Sequence, residues 1–400
     1  MQTQHTEVFV SGGGIAGMIT ALAFAEAGFS VVCVDPATPV TDRAAKGADM
    51  RSTAFLQPSR ALLEEIGLWA RLEAHAAPLQ VMRIIDAGGE TPTPRVESEF
   101  DATDISEQPF GWNFPNWLLR REALAALEAH PQITPRFGVG VQDVLTRSEA
   151  VRLRLSDGST VSTKLLIAAD GRNSPVRRAL RIDVQTIRYG QKALAFTVSH
   201  PIPHNNISTE IHRSGGPFTL VPLPDRDGLP ASAIVWMERG EEALRLRDLD
   251  KAAFEKELNA RSCGILGPLE LTSPRDIWPI ISQYARSLTG ERTALIAEAA
   301  HVIPPIGAQG LNMSLADLRA LRDQAVAHRG ALGSREMLDA YARGRLADIR
   351  LRITGIDALN RASMAGARPL RDLRALGLNA IHGVKPLRKS LMQIGLGAKG

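Results

Sequence analysis

A glycine-rich turn near the start of the chain constrains the fold more than any other feature of the sequence. It lies within "EVFVSGGGIAGMITALAFAEAGFSVVCVD", residues 7–35. The β-branched runs "EVFVS" and "SVVCVD" are typical of short buried strands, and "MITALAFAEAG" is an Ala-rich helical pattern closed by Gly28. The segment therefore predicts a strand, a tight turn, a helix and a second strand, as in a Rossmann-like α/β domain.

Three glycines of the turn have the spacing of a dinucleotide-binding site. Gly12, Gly14 and Gly17 fit G-x-G-x-x-G, in which the first permits the turn, the second lets the backbone approach a pyrophosphate and the third lets helix and strand pack closely. The phosphates would lie at the helix N-terminus, beside Ile15 and Ala16, where free N–H groups and the helix dipole favour anions.

An acidic residue follows at the end of the second predicted strand. Asp35 lies 18 residues after Gly17 and is placed to accept a hydrogen bond from a ribose hydroxyl, which favours FAD or NAD over NADP. The alternative is a glycine-rich turn in another α/β protein. We disfavour a signal peptide or membrane helix, because "MQTQHTE" lacks positive charge and three consecutive glycines weaken a continuous helix.

Composition narrows the class of protein further. A chain of 400 residues with 44% apolar and 22% charged residues has room for two domains. Cys33 and Cys263 cannot make a disulfide framework, which favours a reducing cytoplasm. The net charge of +4, with no basic patch among aromatics, argues against nucleic acid as a partner. His200, His204 and His212 lack the spacing and partners of a metal site, so we expect no metal.

Two later stretches indicate which dinucleotide is bound. "TKLLIAADGRNSPVRRAL" (163–180) is a buried strand that runs into Asp-Gly, and "AEAAHVIPPIGAQGLNMSLADL" (297–318) is a Pro- and Gly-bearing loop that feeds a helix from about Leu311. With the glycine turn, D-G-x-x-S-x-x-R at 170–177 and A-A-H-x-x-x-P-x-x-(G)-Q-G-x-N at 299–312 resemble the class A flavoprotein monooxygenases, which have the para-hydroxybenzoate hydroxylase fold. The resemblance spans nearly the whole chain.

Further segments resemble one branch of that family, the ubiquinone-biosynthesis hydroxylases. "DMRSTAFLQPSRALLEEIGLW" (49–69) is similar to the family's second flavin-contact segment and has Arg51 in its arginine position. "IRYGQKALAFTVSHPIPHNN" (187–206) and "GGPFTLVPLP" (215–224) are similar to the substrate-domain strands of this branch.

The resemblance implies a bound FAD and assigns its contacts. Glu298 would bind the ribityl chain, and the loop 305–310 would lie along the isoalloxazine edge. The following helix would aim its N–H groups at the flavin N1–C2=O, where negative charge grows on reduction. The cofactor-binding residues so implied are Gly12, Gly14, Ile15, Ala16, Gly17, Asp35, Arg51, Arg121, Asp170, Gly171, Glu298, Pro305, Gly310, Leu311 and Asn312. Pro305 and the 305–312 loop line the ring, and no catalytic side chain is named.

The chain departs from the family pattern at two places in this last segment. Ala297-Glu298 stands where the family has Gly-Asp, and Ala308 stands where it has Gly. Glu keeps the charge with one more methylene. An alanine at 308 is tolerated at little cost where the loop requires no positive φ.

The implied function is FAD-dependent hydroxylation of a phenolic ring. NAD(P)H would reduce the flavin, which would react with O₂ to give a C4a-hydroperoxide, and the substrate would be a polyprenylated phenol of ubiquinone biosynthesis. A second G-x-G-x-x-G is absent from the sequence, so NAD(P)H would dock transiently. Two alternatives stay open: a hydroxylase of a small soluble aromatic in catabolism, and a non-catalytic flavoprotein that scaffolds a quinone-biosynthesis assembly.

The order of these motifs predicts a discontinuous FAD domain and a basic tail. The FAD domain would take 1–75, 100–180 and 285–340, and a strand-rich α+β substrate domain would take 76–99 and 181–284. A helical C-terminal segment, 341–400, holds twelve Lys or Arg against three Asp or Glu. We expect a cytoplasmic protein whose tail is a solvated helical appendage or makes peripheral contact with the anionic inner face of a membrane.

Overall fold

The fold begins with the predicted strand, turn, helix and strand. In this computed structural model, which describes residues 3–88, 93–213, 215–364, 389 and 392, β1 (Gln4–Ser11) is followed by α1 (Ile15–Glu26) and β2 (Val31–Asp35). The two strands are parallel, and every residue of β2 before its terminal Asp is buried. This part of the sequence prediction is confirmed.

The first sheet extends this unit on both sides. Its other strands are β8 (Ile133–Phe137), β9 (Val141–Thr146), β10 (Val151–Leu155), β11 (Thr160–Ala168), β18 (Thr289–Gly290) and β19 (Thr293–Leu295). β19, β11, β1, β2 and β8 are parallel neighbours in that order, and β9 and β10 form an antiparallel extension that pairs with β11. The carboxyl ends of β1 and β11 therefore meet at one edge, where α/β sheets bind ligands.

A second, mostly antiparallel sheet carries the strand-rich part of the chain. Its strands are β5 (Val81–Asp86), β6 (Val96–Asp101), β12 (Val184–Ser199), β13 (Ile207–His212), β14 (Pro217–Arg226), β15 (Leu229–Arg239), β16 (Glu270–Leu271), β17 (Asp276–Ala285) and β20 (His301–Val302). A small third sheet is formed by β3 (Ser52–Leu56), β4 (Ala77–Leu79) and β7 (Gly111–Pro115). The exchange of chain segments between the sheets explains why the cofactor motifs are far apart in sequence.

Nine further helices surround the sheets in the described ranges. They are α2 (Gln57–Glu65), α3 (Trp69–Leu72), α4 (Asn116–Ala129), α5 (Pro175–Ala179), α6 (Gly240–Asp248), α7 (Lys251–Arg261), α8 (Ala297–Ala300), α9 (Gln309–Ala327) and α10 (Arg335–Met364). α9 begins two residues before the predicted Leu311. In these ranges, a helix both long and apolar enough for a membrane span is not found.

Two hydrophobic cores support the two larger sheets. The larger core packs α1, α4, α9 and α10 around the parallel sheet, and the smaller one places Phe196, Phe218, Trp236 and Phe254 between the antiparallel sheet and α6–α7. The predicted α/β class, with a strand-rich part and a C-terminal helix, is confirmed. The domain boundaries stay a prediction, and in the predicted tail residues 365–388, 390–391 and 393–400 lie outside the described residues.

Candidate flavin site

The glycine turn holds α1 against β1 at contact distances that no side chain can occupy. A Cβ on Gly17 would lie 1.9 Å from the carbonyl oxygen of Gly12, and one on Gly12 would lie 2.3 Å from that of Ala169. A Cβ on Gly14, by contrast, would meet no described atom within 4 Å. Two glycines therefore serve packing, and the third leaves open space at the start of the helix.

The start of α1 is suited to an anion. Gly14 precedes the helix, and among the described residues no side chain caps its first turn. The first N–H groups of a helix have no partner within the helix, so Ile15, Ala16 and Gly17 present donors and the positive end of the dipole. A pyrophosphate would supply the hydrogen-bond acceptors and the negative charge that these N–H groups favour.

Asp35 lies beside the same turn, at the end of β2. One carboxylate oxygen accepts from the N–H of Gly13 at 2.7 Å and the other from Ala37 at 2.8 Å. These bonds fix the carboxylate next to the glycine turn, which is where an adenosine ribose would lie if its pyrophosphate occupied the N-terminus of α1.

Asp170 approaches the turn from the neighbouring strand. Its Oδ2 accepts from the hydroxyl of Ser11 at 3.2 Å and the N–H of Val176 at 3.3 Å, whereas its buried Oδ1 has no partner within the described chain. Burial raises the pKa of this carboxyl above its ordinary value. Gly171 follows with a φ of 81°. A buried oxygen of this kind is open to a hydrogen-bond donor from outside the chain, such as water or a ligand hydroxyl.

A short helix connects the Asp-Gly turn to the later cofactor segment. Ser174 caps α5 by accepting from the N–H of Arg177 at 2.9 Å. The buried Arg177 guanidinium donates to the carbonyl oxygens of Ala299 at 2.8 Å and Arg172 at 2.7 Å. Ser174 and Arg177 therefore have a structural role, because they connect the Asp-Gly turn to Ala299, 122 residues after Arg177 in the sequence.

Asn312 joins the N-terminus of α9 to the small third sheet. Its Oδ1 accepts from the N–H of Leu56 at 2.9 Å, and its Nδ2 donates to the carbonyl oxygens of Ala54 at 2.8 Å and Ala308 at 2.6 Å. Gly310 and Leu311 lie in the same first turn, and a Cβ on Gly310 would meet no described atom within 4 Å. This helix start is open, like that of α1.

Both alanines that depart from the family pattern adopt left-handed backbone conformations. Ala297 has a φ of 53° and Ala308 a φ of 55°. The condition under which Ala308 would cost little, a loop without positive φ, is therefore not met. Each such alanine costs about 1–2 kcal/mol relative to a right-handed conformation. Surrounding contacts must hold both turns.

The remaining predicted acid, Glu298, lies on the surface of the segment. Its side chain is 53% exposed, and its carboxylate is 3.8 Å from the guanidinium of Arg172. It is thus accessible to a ligand, although the structure itself does not bring it into contact with Asp170 or the glycine turn. Pro305, in the adjoining loop, is likewise exposed.

Arg51 belongs to a charged cluster beside the loop. It forms two bonds to Asp49, of 2.8 and 2.7 Å, and its guanidinium lies 5.4 Å from the ring centre of Trp278 on β17. Asp49 also accepts from Arg120 at 3.2 Å, whereas Arg121 pairs with its neighbour Glu122. Burial acts to raise the pKa of Asp49, but the bonds and charge of Arg51 outweigh it and lower that pKa. The structure therefore places Arg120, not Arg121, on the carboxylate that binds Arg51.

A buried network of charged side chains, which the sequence did not predict, lies next to Ala297. The imidazole Nε2 of His301 is 2.6 Å from Asp317, which also accepts from Arg345 of α10 at 2.8 Å. Burial would raise the pKa of Asp317, but these partners lower it below the ordinary value. Asp317 and His301 belong to the segment 297–318, which was identified from the sequence. Arg345 could not be identified in the same way, because α10 carries no motif. Among the described residues, no group of His, Cys, Asp or Glu has a metal-binding arrangement.

A glycine turn at the edge of a parallel sheet, an incompletely bonded acid and a second open helix start are the features of a dinucleotide-binding site. The family profile of the FAD binding domain matches residues 5–352, and the chain belongs to this family. The resemblance to class A FAD-dependent monooxygenases is confirmed, and FAD is the cofactor.

Named relatives agree with this assignment. The chain is 32% identical to the ubiquinone hydroxylase UbiL of Rhodospirillum rubrum, over 98% of this chain and 89% of that protein. It is 28% identical to the 3-demethoxyubiquinol 3-hydroxylase of Escherichia coli, over 99% and 100%. The crystal structure of p-nitrophenol 4-monooxygenase PnpA from Pseudomonas putida has the same fold, with a TM-score of 0.80, 19% identity and full coverage of both chains.

Proposed function

We propose that this chain hydroxylates the ring of a polyprenylated phenol in ubiquinone biosynthesis, with NAD(P)H as transient reductant and O₂ as the oxygen source. The observation that carries the proposal is a buried apolar cluster of Ala193, Met237, Ile280 and Ile306. Ile306 belongs to the loop 305–310, and the other three belong to the antiparallel sheet. The cluster therefore joins the proposed flavin loop to the strand-rich part of the chain.

This cluster is suited to an uncharged aromatic ring. Tyr189, Val235 and Trp278 pack against it, which adds two aromatic faces. A substrate pocket next to this cluster would bind and orient such a ring and keep water away from it. FAD, when bound, supplies the redox chemistry with O₂.

The site residues support FAD binding at several separate points. The open start of α1 would hold the pyrophosphate, Asp35 the adenosine ribose, and the unpartnered Asp170 a further cofactor hydroxyl. Glu298 is accessible to the ribityl chain, and the first turn of α9 would donate to the flavin ring. Arg51, and Arg120 in preference to Arg121, would supply positive charge beside it.

The substrate class is inferred from the relatives and the tail. Both relatives named above are hydroxylases of ubiquinone or demethoxyubiquinol, by their names. On α10, Leu351 is 69% exposed and Leu359 is 58% exposed, and the sequence beyond is basic. We infer a cytoplasmic enzyme that touches an anionic membrane surface through this end, since a polyprenylated phenol dissolves in the bilayer.

The test of the proposed function is the profile of prenylated quinones in cells that lack the protein. We expect a prenylphenol short of one hydroxyl to accumulate, and fragmentation in the mass spectrometer to give the ring position. Re-expression of the wild type should restore the profile, and the Gly17→Ala variant, which cannot form the turn, should not.

Two other results would each favour an alternative. An unchanged profile, together with NAD(P)H oxidation stimulated by simple phenolic acids, would indicate a catabolic hydroxylase. Bound flavin that NAD(P)H never reduces, with a prenylphenol present, would indicate a scaffold.

The membrane contact has a separate test. The purified holoenzyme should bind vesicles that contain anionic lipid, and a chain truncated after Arg361 should bind them more weakly. Equal partitioning of the two forms would contradict a role for the tail.

A further inference from the structure

The two turns that contain left-handed alanines, at Ala297 and Ala308, are connected by a series of hydrogen-bonded side chains. Ala297 and Ala308 both adopt left-handed conformations, in which Cβ comes too close to the following carbonyl oxygen. The His301–Asp317–Arg345 network lies next to the first turn. The network continues along α10 and ends at Gln309, the residue that follows Ala308 in the second turn.

The connection along α10 consists of charge-assisted bonds. Arg345 donates to Asp317 at 2.8 Å and to Asp348 at 2.8 Å. Asp348 in turn accepts from Arg352 at 2.9 Å, and Arg352 donates to the side-chain oxygen of Gln309 at 2.5 Å. Bonds of this kind are stronger than neutral ones and hold their partners in defined positions.

Each end of this chain touches one of the strained turns directly. At the first turn, the N–H of Ala297 approaches the carboxylate of Asp317 at 3.4 Å, a long hydrogen bond. At the second, Gln309 follows Ala308 and also donates from its side chain to the carbonyl oxygen of Gly307 at 2.9 Å. The bonds to Asp317 and Gln309 therefore act directly at the two turns whose left-handed backbone conformations are unfavourable for alanine.

We propose that Arg345 and Arg352 are positioning residues that keep the two alanine turns in the shape that binds the flavin. Without α10, each alanine would relax toward negative φ, which would turn the loop 305–310 and the segment that carries Glu298 away from the cofactor. A glycine at either position would need no such support, because it adopts positive φ without a steric penalty. This inference rests on the proposed placement of FAD at this segment.

The buried face of α10 could instead be a general anchor for the helix, with no specific link to the turns. The two roles differ in what they predict for combined substitutions. An anchor loses the same free energy whatever residue stands at 308. A support for a strained turn becomes dispensable once glycine removes the strain, so the two substitutions are coupled.

The experiment is a double-mutant cycle of Arg352→Met and Ala308→Gly, with the FAD dissociation constant and the visible flavin spectrum as readouts. We expect Arg352→Met alone to weaken FAD binding by about tenfold and to shift the flavin absorption bands, and Ala308→Gly to reduce that loss to about twofold. Arg343→Met, at an exposed arginine of the same helix, is the matched control and should change neither readout.

A second cycle, Arg345→Lys with Ala297→Gly, examines the other turn with a substitution that keeps the buried charge. FAD losses that are equal in the alanine and glycine backgrounds would overturn the inference and leave the proposed function standing. A wild-type chain that binds no FAD would overturn the proposed function together with it.

Discussion

The two helix starts proposed to face the flavin, at α1 and α9, are reached by turns built in different ways. The turn before α1 consists of glycines, and a Cβ on Gly12 in this turn, or on Gly17 in the first turn of α1, would overlap a carbonyl group. The turn before α9 has Ala308 in a left-handed conformation. The first turn is specified by its own residues, whereas the second depends on Asn312, Gln309 and α10.

The shape of one part of the cofactor site is thus set by neighbouring residues in the sequence, and the shape of the other part by residues that are distant in the sequence. The glycine turn needs few partners, because its shape is close to what its sequence prefers. The alanine turns need a buried ionic network to offset their strain. Substitutions should therefore act differently at the two places.

The largest effect is expected from Gly17→Ala. Its Cβ would lie 1.9 Å from a carbonyl oxygen, so α1 must move away from β1. We expect a loss of about 4 kcal/mol or more in the free energy of unfolding and no FAD binding. Urea unfolding of the apoprotein measures the first and flavin content the second.

The control for that variant is Gly14→Ala, where the added Cβ meets no described atom within 4 Å. This change should leave the stability of the apoprotein nearly unchanged and still weaken FAD binding, because the methyl group occupies the space proposed for the phosphates. Equal loss of stability in both variants would contradict the division of roles among the glycines.

The next effect is expected from Asp317→Asn, which removes the charge at the centre of the network. The buried Arg345 would lose a charged partner, and we expect a loss of about 3 kcal/mol at neutral pH. Since the folded-state pKa of Asp317 is lowered, its stabilisation is present above the unfolded pKa of about 3.9 and is lost as pH falls through the folded value.

The measurement is unfolding of wild type and variant between neutral pH and about pH 2. The difference between the two proteins should be constant down to about pH 4 and should narrow below it. A difference that does not depend on pH would mean that the lost stability does not come from the carboxylate charge.

A smaller effect of opposite sign is expected from Asp170→Asn. Burial raises the pKa of this carboxyl, so its ionisation at neutral pH destabilises the apoprotein, and an amide removes that penalty. We expect a gain of about 1 kcal/mol in apoprotein stability and about tenfold weaker FAD binding. Ser11→Ala, which removes one donor to the same carboxylate, should weaken FAD binding without the gain in stability.

The smallest effect is expected from Ala308→Gly. Relief of the left-handed strain is worth about 1–2 kcal/mol, and the added freedom of the unfolded chain offsets about 0.5–1 kcal/mol of it. A net gain of about 0.5 kcal/mol should appear in thermal unfolding. The same change at Ala347, an exposed position within α10, should instead lose about 1 kcal/mol, and a loss at both sites would contradict the strain.

Sequence patterns predicted the parts of the molecule whose information is local. The order of strand, turn, helix and strand at residues 4–35 follows from hydrophobic runs and glycine spacing, and the structure has it. The loop before α9 was located from its prolines and glycines, although its backbone conformation at Ala308 was not. The sequence prediction named Arg121, whereas the structure pairs Arg120 with Asp49, because adjacent residues of a helix point in different directions and the position of Asp49 is not visible from spacing.

By itself, therefore, the sequence determined the α/β class, the dinucleotide turn and the flavoprotein family, since each rests on motifs whose own residues are a few positions apart. Only the tertiary structure decided that Asp170 keeps an unpartnered oxygen, that Arg120 shares Asp49 with Arg51, and that arginines of α10 bind Asp317 and Gln309 beside two left-handed alanines. These features depend on contacts between segments up to hundreds of residues apart. Their geometry is set by how sheets and helices pack, and neither periodicity nor motif spacing carries that information.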